Sequence, residues 1–183
     1  MRIVAGKYRN RRIDPPQGIE ARPTTDFAKE GLFNVLQHSV QLEGIRVLDL
    51  FAGTGNMSLE FLSRGAVDVV SVEQDRKLFA FIQRTIAEIG ETGWRVVKED
   101  VFKFLSGHRS KYDIIFADPP FHMEGTERIA SMVFENALLA PDGVLIIEHH
   151  EKTDLSAVDG YIRNRKYGQI VFSIFGGSNE EMN

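Results

Sequence analysis

Asp49-Leu50-Phe51-Ala52-Gly53-Thr54-Gly55-Asn56 closes an apolar run that begins at Ile45. It reads as a buried strand, Ile45–Phe51, feeding a glycine loop and then a helix over Met57–Arg64. Gly53 and Gly55 let the backbone turn tightly and approach a ligand with no Cβ in the way. The helix beyond presents amide donors and a positive dipole end. The spacing is acid-x-x-x-Gly-x-Gly. A pyrophosphate fingerprint of the form G-x-G-x-x-G would want a third small residue, yet position 56 is Asn and position 58 is Ser. An anion at Asp49 would also repel a pyrophosphate, so the loop suits a ligand that carries a cation.

Outward from this loop, strands and helices alternate. Val67–Glu73, Trp94–Lys98, Tyr112–Asp118 and Val144–Glu148 read as strands. Arg76–Ile89, a short segment after Asp100 and Glu127–Leu139 read as helices. That alternation predicts an α/β fold with a doubly wound, mainly parallel sheet. Tyr161–Tyr167 and Gln169–Phe175, parted by Gly168, predict an antiparallel hairpin at the sheet edge, for seven strands in all. Upstream, residues 1–13 predict a β-hairpin turning near Gly6-Lys7-Tyr8, and Asp14–Gly18 a loop. Thr24 or Thr25 can cap a helix that runs to about Gln37.

The 183 residues, 43% hydrophobic and 26% charged, favour one domain with at most a small appendage. Cysteine is absent, which excludes disulfides and thiolate metal sites and fits a reducing cytoplasm. No apolar run approaches the roughly 20 residues of a membrane span, and the first seven residues lack the apolar stretch of a signal peptide. Net charge is −4. Its distribution is uneven: Arg2, Lys7, Arg9, Arg11 and Arg12 stand in the first 12 residues without an acid. Residues 41–183 hold 15 basic and 22 acidic side chains. A basic arm on an acidic body can hold phosphates, although a solvated hairpin has the same composition.

Asp118-Pro119-Pro120-Phe121 ends the fourth strand. Two prolines cannot donate to a sheet ladder, so the chain must bend there. The bend fixes a carboxylate, exposes two proline carbonyls and presents an aromatic ring. A base's exocyclic amine is a poor nucleophile because its lone pair is delocalised into the ring. Asp118 and the Pro119 carbonyl can accept its two hydrogens while Phe121 stacks on the base. Glu73 ends the second strand, where a carboxylate accepts from ribose hydroxyls, and Asp100 ends the third, in reach of an adenine amine. Phe51 belongs to the same loop, and Val101 and Phe102 can flank the adenine ring. These residues together point to S-adenosylmethionine and to methylation of a base amine. No metal is required: His122, His149 and His150 follow two different strands and have solvated or packing roles.

The chain also resembles a known family over nearly all its length. Arg2-Ile3-Val4-Ala5-Gly6-Lys7-Tyr8-Arg9, Arg22-Pro23-Thr24-Thr25-Asp26 and Gly31-Leu32-Phe33-Asn34-Val35-Leu36 are similar to the bacterial 16S ribosomal RNA guanine-N2 methyltransferases of the RsmD family. The loop at Asp49 and the turn at Asp118 follow in that family's order. The resemblance implies a Rossmann-like class I methyltransferase domain over 21–183, preceded by a basic hairpin arm over 1–20. It implies S-adenosylmethionine on Asp49, Phe51, Gly53, Gly55, Glu73, Asp100 and Val101. It places the base on Asp118, Pro119 and Phe121, and RNA on Arg2, Lys7, Arg9, Arg11, Arg12 and Arg22. The implied partner is 16S ribosomal RNA within a small subunit or a late assembly intermediate, met by a monomer. Acids at 148, 151, 154 and 159 argue against phosphate near residues 149–160. The alternatives are an amino-methyltransferase acting on another RNA or on DNA, and an RNA-binding module without catalysis. A separate recognition domain, usual for sequence-specific DNA methylation, finds no room after the catalytic sheet.

Overall fold

The computed structural model describes residues 2–15 and 25–176. Arg22, Thr24, the loop beyond Pro15 and the tail beyond Gly176 lie outside the described residues. Seven strands form one sheet: β1 (Arg46–Leu50), β2 (Asp68–Val72), β3 (Trp94–Val97), β4 (Tyr112–Ala117), β5 (Leu139–His150), β6 (Tyr161–Tyr167) and β7 (Ile170–Gly176). Their order is β3-β2-β1-β4-β5-β7-β6. β1 to β5 are parallel, and β7 runs antiparallel between β5 and β6. The strand order reverses between β1 and β4, which opens a crevice at the carboxyl ends of those two strands.

Successive residues of a strand face opposite sides, so each central strand feeds two cores. Val47, Val69, Ile114, Phe116 and Ile146 pack under α1 (Asp26–Ser39), α2 (Asn56–Ser63) and α3 (Arg76–Ile89). Leu48, Leu50, Val70, Ile115, Ala117 and Ile147 pack under α4 (Val101–Gly107) and α5 (Glu127–Glu135). The helix starts carry their own caps. Thr25 Oγ1 accepts from the Ala28 amide at 3.1 Å, and Asp75 Oδ1 accepts from Lys77 and Leu78.

Two boundaries differ from the sequence expectation by several residues, while the others shift by one or two. α5 ends at Glu135, not Leu139, because Ala137 takes a left-handed φ of 50°. β5 begins at Leu139, not Val144, through a register shift opposite Tyr112 and Ile114 that accommodates Pro141-Asp142-Gly143. The N-terminal hairpin is short: Arg2 bridges Arg12 antiparallel, the Ile3 amide donates to the Arg11 carbonyl at 2.9 Å, and the Asn10 amide to the Ile3 carbonyl at 2.8 Å. Ile3 and Ile13 anchor it in the core under α1 and α2. The Val4 and Ala5 amides donate to the Glu60 carboxylate at 2.8 and 3.1 Å, and the Lys7 amide donates to the Ser63 carbonyl at 2.8 Å. The short hairpin is thus docked onto α2, which offers acceptors along one side.

Candidate active site

A cleft of about 920 Å³ opens at the crevice between β1 and β4, within the range of small-molecule sites. Asp49 sits at its base, 1% exposed. Phe116, its register partner on β4, faces the same side of the sheet, and so does Asp118 two residues on. Glu148 on β5 follows one step after the Ala117–Ile147 pair, so it stands beside Asp118 on that side too. Four strands thus bring Asp49, Glu73, Asp118 and Glu148 to one rim.

Behind Asp49 runs a buried hydrogen-bonded line. Indole nitrogen can only donate, so Trp94 Nε1 donates to Ser71 Oγ at 2.8 Å. Ser58 Oγ gives its proton to Asp49 Oδ2 and therefore accepts from Ser71 Oγ at 2.6 Å. Burial nevertheless pushes the Asp49 carboxyl up to about 7, against the Ser58 bonds, with the Glu73 charge adding to the rise. A cationic group placed here would restore the ionised form.

Glu73 is oriented by two backbone donors, Gly53 N at 2.8 Å and Asp75 N at 2.7 Å, one on each oxygen. Each oxygen keeps a second lone pair, which suits a vicinal diol. Burial raises its carboxyl as well. Val72, Leu78 and Val101 line the neighbouring wall and suit an apolar ring. Phe51 lines the cleft with φ at 62°, a left-handed conformation that costs a non-glycine residue about 1–2 kcal/mol. The donor set, the paired oxygens of Glu73 and the apolar wall fit an adenosyl group with a cationic tail.

Three residues expected on the cofactor, Gly55, Asp100 and Phe102, are not among those that line the cleft. Gly55 does not border the cleft. Its φ is 74°, and a Cβ would meet the Trp94 ring at 2.7 Å, so its glycine serves the turn and the packing of the indole. Asp100 is absent from the cleft wall; its Oδ1 caps α4 by accepting from the Lys103 amide at 3.0 Å. Any bond to adenine rests on its other oxygen.

At the second motif, Asp118 is half-buried, Pro119 buried and Pro120 exposed. Phe121 remains 41% exposed on the cleft mouth, with the His150 ring edge-on at 5.8 Å. The two proline carbonyls differ in their partners. That of Pro120 accepts from the Met123 amide at 2.8 Å and tightens the turn. Burial holds the Asp118 carboxyl well above its ordinary value, with the charges of Glu148 and Asp49 adding to it.

The cleft also has walls that sequence reasoning did not reach. Thr25 and Phe27 reach it from the start of α1, and Tyr167–Ile170 from the β6–β7 turn. Asn56 joins it from α2 and is held by the buried Lys29 ammonium at 3.2 Å. Glu148 borders the cleft as well: the sequence sets it among acids that argue against phosphate near residues 149–160, and in the fold it is 2% exposed. Among the described residues no group of three or more His, Asp or Glu is arranged to hold a metal. No helix among them is long and apolar enough to cross a membrane.

The basic residues divide. Arg2 pairs with Asp26 at 3.4 Å and Lys7 with Glu91 at 2.5 Å. Arg9, Arg11 and Arg12 are exposed and meet no acid among the described residues.

A family profile described as conserved hypothetical protein 95 matches residues 1–176. Ribosomal RNA small subunit methyltransferase D of Escherichia coli K12 is 30% identical over 178 residues, covering 96% of this chain and 89% of that protein. The chain belongs to the RsmD family. The yhhF protein of Escherichia coli superposes with a TM-score of 0.84 at 30% identity, covering 96% of both chains. A Thermus thermophilus 16S rRNA N2 G1207 methyltransferase, solved with AdoMet and guanosine, reaches a TM-score of 0.67 at 26% identity over 86% of this chain and 45% of its own. The sheet order and the antiparallel β7 are those of a class I methyltransferase. RsmD membership thus agrees with the fold expected from the glycine loop and the terminal hairpin.

Proposed function

We propose that this chain transfers a methyl group from S-adenosylmethionine to the exocyclic N2 of a guanosine in 16S ribosomal RNA. The observation that supports it most is the meeting, in one cleft, of the Asp49–Glu73 rim with the Asp118-Pro119-Pro120-Phe121 turn. RsmD membership adds the substrate class. The bound cofactor supplies an electrophilic methyl on a sulfonium, whose electron pair returns to sulfur as the new N–C bond forms.

The protein's share is placement and proton handling. Asp49 faces the ammonium and Glu73 the ribose hydroxyls. Phe121 stacks on the base, for about 1–3 kcal/mol. Asp118 and the Pro119 carbonyl accept the two amine hydrogens and localise the lone pair toward the methyl. The amine sheds one proton after methylation, and Asp118, a stronger base than an ordinary carboxylate here, takes it. Arg9, Arg11 and Arg12 hold RNA phosphates beside the body. The finer substrate is a small subunit or a late assembly intermediate.

Replacing Asp118 by Ala tests the assignment. Transfer of labelled methyl groups to small-subunit RNA is expected to fall at least about 100-fold, with cofactor affinity by calorimetry within a few-fold of wild type. Retained transfer removes Asp118 from its role. A parallel loss of cofactor binding would mean that the cleft has been assigned to the wrong ligand.

A further inference from the structure

Glu148 has no part in the chemistry above, although it borders the same cleft and is 2% exposed. Strand register fixes where it stands. β4 and β5 are parallel neighbours with Ala117 opposite Ile147, so the next pair is Asp118 and Glu148, one strand spacing apart, roughly 4.8 Å. β7 flanks β5 on the other side, with Phe172 opposite Glu148. The carboxylate is therefore enclosed by strands and directed by the sheet.

Two carboxylates set side by side in a cleft are complementary to a ligand that donates to both. The Glu148 charge contributes to holding Asp118 above its ordinary value. A ligand edge with adjacent hydrogen donors matches the pair. Guanine carries such an edge, N1–H next to the N2 amine. Adenine and cytosine place a lone pair beside their exocyclic amines, at N1 and N3, and a carboxylate there meets a like charge density.

We infer that Glu148 is the specificity-determining residue for guanine: its carboxylate accepts the N1 hydrogen while Asp118 and the Pro119 carbonyl take the N2 hydrogens. The inference rests on the proposed N2 transfer and deepens it. Glu148 neither donates nor removes a proton in the reaction. It fixes the base by its N1 edge and so aims N2 at the methyl group. Acids at strand ends thereby divide between cofactor, reacting amine and base identity.

The test uses RNA whose target guanosine is replaced by 2-aminopurine riboside. That base keeps the C2 amine and has a lone pair at N1. Wild-type protein is expected to methylate the guanosine substrate and to discriminate strongly against 2-aminopurine. Glu148→Gln removes the charge and replaces one of the two acceptor oxygens by an amide donor. Its guanosine rate is expected to fall, and its preference for guanosine over 2-aminopurine to drop by at least about tenfold. The ratio comes from one preparation, so partial unfolding does not affect it; cofactor affinity serves as the folding control. Equal loss on both substrates, or an unchanged preference, overturns the role of Glu148. Failure of the wild-type protein to methylate guanosine N2 at all overturns the proposed function instead.

Discussion

Asp49 is a buried acid at the base of the cleft, and under the proposed function its ionisation ties cofactor binding to pH. Its carboxyl lies at about 7 rather than 3.8 because burial penalises the charged form. In the empty protein the neutral form is favoured. The resulting stability is fully present below 3.8 and lost as pH rises through about 7. A cationic ligand reverses the preference, since only the ionised acid attracts it. Affinity for S-adenosylmethionine is therefore expected to weaken by up to about tenfold per pH unit below 7. Asp49→Asn should bind more weakly at pH 8 and show a flatter profile between pH 5 and 8, measured by calorimetry. A wild-type profile without slope in that range would contradict the buried-acid account.

α2 joins the cofactor loop to the N-terminal segment. Its Glu60 is fully buried and accepts from two amides of that segment, while Lys29 of α1 bonds Glu60, Asn56 and the Arg2 carbonyl. Arg64 closes the cluster from one turn further along, at 2.8 Å. Gly6 is the tightest point of this docking: its φ is 80°, and a Cβ would lie 1.7 Å from the Ser63 carbonyl oxygen. Gly6→Ala is expected to cost about 1–3 kcal/mol and to lower Tm by several degrees in a thermal melt. An unchanged Tm would mean that the segment is not held as described. Most elements were legible from hydrophobic runs and glycine breaks; Arg76–Ile89 and Tyr161–Tyr167 match residue for residue. The hairpin at residues 1–13 was legible, but its docking onto α2 was not, because that partner lies far along the chain. The left-handed Phe51 and the Ser58–Ser71–Trp94 line behind Asp49 were likewise beyond reach. They depend on which strands become neighbours, and periodicity does not encode that order. Glu148 was missed for the same reason: only the β4–β5 register sets it beside Asp118.

At the scale of the whole molecule, the charges separate into an acidic cleft and a basic N-terminal edge. The cleft collects Asp49, Glu73, Asp118 and Glu148, which suits a cationic cofactor and a base edge rich in donors. The proposed function needs phosphates held elsewhere, and it assigns them to the exposed Arg9, Arg11 and Arg12. Replacing all three by Ala is expected to weaken RNA binding and to lower the slope of log affinity against log salt by about 2. An unchanged slope would move the RNA interface to another face. The central claim itself is best tested on small ribosomal subunits that lack the modification. They would be incubated with the protein and labelled S-adenosylmethionine, and the digested RNA examined by mass spectrometry. N2-methylguanosine at a single site is the predicted result; methyl-adenosine, methyl-cytidine, or no methylated nucleoside from protein that binds the cofactor would contradict it.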